Sequence, residues 1–497
     1  MNTPPPQKPG YWIPVCTALL FVCSPLLQAQ RNAPYYNANA ATLRQQLAEK
    51  TTASIQATFR EPDQFNKEAR EAYRSARDRI GLDVSEEISE SALVDDVLWP
   101  FVQKTHAAIV AANPEGAATK VILTINPTPN AYSVGDGTLF VYCGLLAGLE
   151  NEDQLAFVLC HEIAHYLLEH ATNGLVREIA TFHDKAFKAK VKAASKQEFN
   201  RNEQLANIYK NVLFKSRYHR RDLERQADSL AYRMFLKTNY APGQAQRLCA
   251  LFETIDEPLR DSSLNVETHF GCARHPFQAG WLEKAKGSVW ADAQALNAAA
   301  EKQMQDSLRT HPDWRNRMQW LEEMAQQLLV GTSTKTVSGD PYAPIRYLSV
   351  LESVDAWFSV ERYDKALFYA VQYQQVYPDC SYFKEMEALA LNGLYTHLKD
   401  HSLSDVLSQS APDNPGKYNR FLDFLNNLRL KDLLALQVCS LDAALASTTE
   451  KTEHGLMAAY FVALAQDDRS AMLAAKKEYL SKYRKGRFAD VFQQAKK

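Results

Sequence analysis

Residues 158–165, VLCHEIAH, place two histidines four positions apart with a glutamate directly after the first. On a helix, His161 and His165 lie one turn apart on the same face, so both imidazoles can reach one metal ion. Glu162 is rotated by roughly a quarter turn, which puts its carboxylate beside the metal rather than on it. This arrangement suits a glutamate that takes a proton from a zinc-activated water molecule. The alternative is a helix that carries two histidines by chance.

A catalytic zinc site needs a third protein ligand, and the rest of the chain offers one. One extended form of the motif continues with a glycine and a third histidine, but Leu168 and Ala171 occupy those positions. A glutamate on a later helix is the other common solution, and DLERQAD supplies Glu224. Asp228 follows one turn later on the same face, where it can hold the free ring nitrogen of a ligand histidine. The alternative for both acids is a solvated helix face.

The flanking sequence predicts the elements that position these residues. An amphipathic pattern with acids in its first turn predicts a helix over 151–172, and a second amphipathic pattern predicts one over 220–240. Apolar runs at 120–125 and 138–146, separated by a turn rich in proline, asparagine and glycine, predict a β-hairpin or short sheet. From about residue 345 onward the patterns are helical.

Residues 126–170, NPTPNAYSVGDGTLFVYCGLLAGLENEDQLAFVLCHEIAHYLLEH, closely resemble the core of the HtpX/BepA-type zinc metallopeptidases of peptidase family M48. RDLERQAD at 221–228 is similar to the family's Arg-x-x-Glu-x-x-Ala-Asp segment, and THPDWRNR at 310–317 to its Thr-His-Pro…Arg segment. The resemblance spans roughly residues 90–330. It implies an α+β, mostly helical fold: a zincin-type metalloprotease domain with a small β-sheet, followed here by an all-α domain.

The resemblance implies a role for each motif residue. His161, His165 and Glu224 would bind one zinc ion per chain. Glu162 would act as general base and acid. Asp228 would orient a ligand histidine.

The resemblance also implies residues that contact the substrate. The strand at Asn130 and Ala131 would pair with the substrate main chain as an edge strand. His311 would lie near the metal, as a reversible fourth ligand or a hydrogen-bond donor, and Arg317 would support it or the oxyanion. A second His-Pro pair makes His275 a competitor for the role of His311, and this alternative stays open.

The chain is expected to contain several domains, because 497 residues exceed the size of one ordinary domain. An uncharged apolar stretch at 11–29 predicts a cleaved signal peptide, with an uncleaved membrane anchor as the alternative. The exported chain is expected in the periplasm, in peripheral association with the envelope. No later segment is apolar enough to span a bilayer, so no integral membrane segment is expected after cleavage. The predicted parts are the signal peptide at 1–29, a helical segment at 30–90, a metallopeptidase domain at 91–330 with an insertion at about 256–305, a linker at 331–344 and helical repeats at 345–497.

The C-terminal part carries a weak repeat signal. Residues 361–379, ERYDKALFYAVQYQQVYPD, fit one helix of a tetratricopeptide (TPR) repeat, and 467–488 are a fainter echo. The alternative is an irregular helical bundle. Repeats of this kind would engage a protein partner in the envelope.

These patterns favour a zinc endopeptidase that acts on exported or envelope polypeptides in protein quality control. A formal net charge of −2 gives no reason to expect nucleic acid as a partner. The main alternative is a latent or non-catalytic, chaperone-like adaptor that acts through the helical repeats, and a metal-free scaffold is a third possibility. Among the cysteines, Cys249 and Cys272 are the pair considered for a disulfide.

Overall fold

A small mixed β-sheet lies beside the helix that carries the histidine motif. In the computed structural model, which describes residues 32–37, 39–196, 221–255, 264–282, 314–328, 340–411, 414–447 and 451–494, its strands are β1 (Lys120–Thr124), β2 (Ala131–Ser133) and β3 (Thr138–Tyr142). Their order is β1-β3-β2, with β1 parallel and β2 antiparallel to β3. The predicted short sheet is therefore present, but the two predicted strands are parallel, and the hairpin is formed by β2 and β3.

The described residues form twenty α-helices in addition to this sheet. Those of the first two thirds of the chain are α1 (Ala40–Thr58), α2 (Lys67–Ser91), α3 (Leu98–Ala112), α4 (Cys143–Gly148), α5 (Glu152–Leu167), α6 (His170–His183), α7 (Lys185–Ser195), α8 (221–236), α9 (Gln244–Ile255), α10 (Val266–His269) and α11 (Trp314–Gln327). The remaining ones are α12 (Ala343–Ser359), α13 (Tyr363–Val376), α14 (Ser381–Lys399), α15 (Leu403–Val406), α16 (Gly416–Asn427), α17 (Leu430–Ala446), α18 (Glu453–Ala465), α19 (Arg469–Lys482) and α20 (Ala489–Gln494). The α+β, mostly helical fold class is confirmed.

Strand alternation divides the sheet between two hydrophobic cores. Val121, Leu139 and Val141 point into the core that contains the apolar residues of α3 and α5. Ile122 and Phe140 point the other way, into the core formed with α1 and α2. Because successive side chains of a strand face opposite sides, both faces of this sheet are buried.

Helix α5 is shorter than predicted, and its ends have clear causes. The Asn151 side chain accepts a hydrogen bond from the Gln154 N–H at 3.0 Å, which caps the helix start. The helix ends at Leu167 because Glu169 adopts a left-handed conformation (φ 54°), and α6 then begins at His170. The break places His170 at the start of a new helix rather than one turn further along α5.

The C-terminal helices pack directly on the region of the sheet. The Tyr342 hydroxyl donates to the Leu146 carbonyl at 3.0 Å, and Arg346 Nη2 donates to the Glu150 carbonyl at 2.7 Å. One hydrophobic core includes residues of α5 together with residues of α12 and α14. The described residues from Asn32 onward belong to one compact unit.

The described part of the predicted insertion, residues 264–282, packs on the C-terminal helices. The Phe270 ring lies 4.7 Å from that of Phe424 on α16. A disulfide joins Cys272 to Cys439 on α17, with the Cα atoms 5.8 Å apart. The expected Cys249–Cys272 pair is therefore wrong, because Cys249 is a free thiol buried in α9.

Several sequence predictions concern segments that the structure describes only in part or not at all. The signal peptide at 1–29, most of the insertion and residues 331–339 of the linker lie outside the described residues. The predicted repeat helix at 361–379 coincides with α13, while TPR-like stacking stays a prediction. No helix of the described segments combines the length and the apolar character that crossing a bilayer requires.

Candidate metal centre

Three side chains from two helices converge on one point. His161 and His165 project from α5, and Glu224 projects from α8. The two Nε2 atoms are 3.0 Å apart, and the Glu224 carboxylate oxygens lie 3.4 Å from His161 Nε2 and 3.5 Å from His165 Nε2. Tetrahedral zinc with bonds of roughly 2.0–2.1 Å spaces its ligand atoms by about 3.3 Å. The three residues therefore fit a zinc ion.

The far side of His161 is held by a buried carboxylate. Asp228 Oδ1 lies 3.0 Å from His161 Nδ1, which leaves Nε2 directed at the other two ligand atoms. Asp228 in turn accepts hydrogen bonds from Arg317 Nε at 2.7 Å and Arg317 Nη2 at 2.6 Å. Arg317 Nη1 is also 3.5 Å from a Glu224 oxygen. Arg317 Nη2 also lies 3.3 Å from His161 Nδ1, so α11 contacts both α5 and α8 through one guanidinium.

The pKa values in this cluster show that it favours positive charge. Burial raises the pKa of Asp228, but the Arg317 charge and the contact with His161 outweigh it and hold the value at about 2. For His161, burial and Arg317 lower the pKa, while Asp228 and Glu224 raise it more, to about 9. The buried Asp228 carboxylate therefore stays ionised behind the His161 imidazole.

The second histidine has its own partner, His170, for which the sequence motifs predicted no role. His170 Nδ1 lies 2.9 Å from His165 Nδ1, so one ring donates a hydrogen bond to the other. Burial lowers the pKa of His170, and the neutral ring can accept the His165 Nδ1 proton. His170 therefore orients His165 as Asp228 orients His161. The only indication in the sequence was that His170 ends the segment that resembles the family core.

Glu162 lies between the two histidines on α5 and is only 2% exposed. Helix α5 packs on the strand β2. Among the described strands, β2 pairs only with β3. The Tyr142 N–H donates to the Asn130 carbonyl at 3.1 Å, so in this antiparallel register the main-chain groups of Ala131 and Ser133 point to the open edge.

A comparison with known families identifies this arrangement. The model of "Peptidase family M48" matches residues 102–325, which include α5, α8 and all but the last two residues of α11. The chain contains an M48 peptidase domain. Both ligand helices and the edge strand β2 lie within it.

Similar proteins match only short parts of the chain. The chain is 48% identical over 46 residues to "Metalloendopeptidase OMA1, mitochondrial" from Bos taurus, covering 9% of each chain. It is 29% identical over 76 residues to "Mitochondrial metalloendopeptidase OMA1" from Arabidopsis thaliana, covering 15% of each. The match to the same protein of Schizosaccharomyces pombe has 42% identity over 50 residues, 10% of this chain and 15% of the relative. The chain thus spans well under a fifth of the length of these relatives.

These relatives correct one prediction. All three are mitochondrial by name, which contradicts the periplasmic location expected from the sequence. That expectation rested on the apolar stretch at 11–29. Apolar leader segments do not by themselves define a compartment, because several targeting routes use them.

Three further residues were predicted near the metal or the oxyanion: His311, its competitor His275, and Arg317. His311 lies outside the described residues. His275 is exposed in the 264–282 segment, where its N–H donates to the Cys272 carbonyl at 3.0 Å, close to the disulfide with α17. Arg317 is 3% exposed and bound to Asp228, so the structure places it behind His161.

Proposed function

We propose that the protein is a zinc-dependent endopeptidase. The observation that carries this proposal is the triangle of His161, His165 and Glu224 ligand atoms, 3.0–3.5 Å apart, with Glu162 beside it on α5. The M48 family match and the names of the relatives support the same class of activity. The zinc ion, when bound, supplies a Lewis acid that polarises the peptide carbonyl and activates water.

The residues of the chain divide the remaining work. Glu162 takes a proton from the attacking water and passes it to the leaving amine, as general base and then acid. Asp228 and His170 hold the imidazoles of His161 and His165 in the orientation that directs Nε2 to the metal. Arg317 is a positioning residue, since it acts through Asp228. A hydrogen bond to the oxyanion, or a reversible fourth bond to the metal, stays a prediction for His311, with His275 as the alternative.

The open edge of β2 supports a polypeptide substrate bound in an extended conformation. Main-chain groups of Ala131 and Ser133 at this edge are available for strand addition, which reads the backbone more than side chains. Such recognition favours unfolded or misfolded chains, and we propose protein quality control as the setting. The C-terminal helices would engage a protein partner.

A pair of variants tests the proposal. The full chain is purified as wild type and Glu162→Gln, its zinc content is measured, and both are incubated with unfolded casein. We expect zinc in both and cleavage only by the wild type. Glu178→Gln, an exposed glutamate on α6, is the matched control and should cleave normally.

The same experiment separates the alternative function. A non-catalytic adaptor would bind casein equally in wild type and Glu162→Gln, without cleavage by either. Absence of zinc from both proteins would sink the metallopeptidase proposal.

A further inference from the structure

A cavity lies where the M48 domain meets the C-terminal helices. Its volume is about 230 Å³, and residues from both regions line it. Pro129 and Ala147 contribute from the M48 side, and Trp357, Lys365 and Tyr369 from α12 and α13. We call it the Lys365 cavity. Sites for drug-sized ligands are typically about 300–1,000 Å³, so this cavity suits a group the size of one residue.

Lys365 is the cationic group of this cavity and is available to a ligand. Its Nζ lies 4.1 Å from the centroid of the Trp357 ring, a cation–π contact. The adjacent Asp364 carboxylate is engaged by Arg362 Nη2 at 3.2 Å and by the Ser408 N–H at 3.0 Å. Within the described segments, Lys365 forms no ion pair. Burial lowers the pKa of its ammonium, so an anion beside it would be stabilising.

The wall on the M48 side is pre-formed. The Gly144 N–H donates to the Asn126 carbonyl at 3.0 Å, and the Thr128 hydroxyl donates to Asn126 Oδ1 at 2.8 Å. A Cβ atom at Gly144 would lie 2.1 Å from the Pro127 carbonyl oxygen, so only glycine permits this close approach. The turn at 126–129 is thereby fixed against α4.

The turn that lines the cavity leads directly into β2. Pro129 is two residues before Ala131, so the two residues are separated by at most about 7 Å. A peptide that pairs antiparallel with β2 runs from the Ser133 end towards the Ala131 end. Its carboxyl-terminal direction therefore leads towards the cavity.

We propose that the Lys365 cavity binds the carboxyl-terminal residue of a polypeptide substrate. The terminal carboxylate would pair with Lys365, and an apolar or aromatic side chain would lie against Trp357 and Tyr369. A terminal residue carries its carboxylate and its side chain on the same Cα atom. The cavity likewise combines one cation, Lys365, with apolar walls. If the protein is an endopeptidase, as proposed above, binding of the chain end in this cavity has one consequence. Cleavage then occurs at a fixed distance from the carboxyl terminus of the substrate, and this consequence rests on the proposed function.

Binding is measured on Glu162→Gln protein, so that catalysis plays no part. The probes are fluorescein-labelled short peptides ending in phenylalanine, with either a free carboxylate or an amide. We expect the free acid to bind about tenfold or more tightly than the amide, because a charge-assisted contact is lost in the amide. Adding Lys365→Met should remove this difference, while Lys399→Met, an exposed lysine on α14, should keep it. Ala147→Leu, which narrows the cavity, should weaken both peptides.

Two results would overturn the inference. One is equal affinity for the free-acid and the amidated peptide. This comparison does not depend on whether the Lys365 variant folds. The other is tight binding of an amidated peptide with an internal glutamate, which would assign the cavity to acidic side chains. If the acid preference holds but the wild type cleaves neither peptide nor casein, the endopeptidase proposal fails and the cavity assignment stands.

Discussion

Arg317 on α11 donates two parallel hydrogen bonds to Asp228 on α8, from Nε at 2.7 Å and from Nη2 at 2.6 Å. Both side chains are buried, with 3% and 1% of their residues' surface exposed. Asp228 also contacts His161 Nδ1 at 3.0 Å. Helix α11 contributes no residue to the metal-binding triangle, but its Arg317 fixes the position and the charge of Asp228, which in turn orients the His161 ring.

Asp228→Asn tests this support. The amide keeps the shape of the carboxylate but loses its charge, so it holds the His161 ring less firmly. We expect zinc affinity to fall by about 10–100-fold, as for other outer partners of ligand histidines. Chelator competition measures the affinity. Asp222→Asn, an exposed change on the same helix, should leave it unchanged, and an equal loss in both variants would contradict a specific role for Asp228.

Arg317→Met tests the energetic weight of the buried pair. Removing one partner leaves Asp228 as an uncompensated buried charge, which costs about 3–5 kcal/mol. Urea denaturation of the zinc-free protein measures the free energy of unfolding. Arg315→Met is the control, because its ion pair with Glu253 at 2.7 Å involves an arginine side chain that is 86% exposed. Arg315→Met should lower the free energy of unfolding by less than about 1 kcal/mol. Similar losses in both variants would refute a special weight of the buried pair.

Metal removal should separate binding from catalysis. Free zinc at a hundred times its Kd stabilises the folded state by about 2.7 kcal/mol, because it binds only that state. We expect zinc to raise the melting temperature of wild type and Glu162→Gln, but not of Glu224→Ala. A chelator should stop casein cleavage by the wild type, and added zinc should restore it. Zinc-dependent stabilisation of Glu224→Ala would exclude Glu224 as a ligand.

The Cys272–Cys439 bridge is open to direct mapping. Digestion without reduction should yield one cross-linked peptide that contains both residues, while Cys249 reacts with a thiol reagent only after unfolding. Cys439→Ser should lower the free energy of unfolding by about 2–5 kcal/mol. Cys272→Ser should cost the same, and the double variant no more than either. A peptide that links Cys249 to Cys272 would overturn the assignment.

The sequence by itself determined the local part of the site. His161 and His165 share a face of α5 because they are four residues apart, and Glu224 and Asp228 share a face of α8 for the same reason. Helical periodicity needs no tertiary information, so the shared face of each pair was predictable, and the motifs around the two pairs indicated the family. The exact end of α5 was not, because it depends on the left-handed conformation of Glu169.

Only the tertiary structure decided how distant segments meet. Arg317 lies 89 residues from Asp228, and the two bridged cysteines are 167 residues apart. The parallel pairing of β1 with β3 likewise joins segments that the sequence pattern suggested as a hairpin. Such contacts depend on the packing of whole helices and strands around common cores, and no periodicity within one segment encodes them.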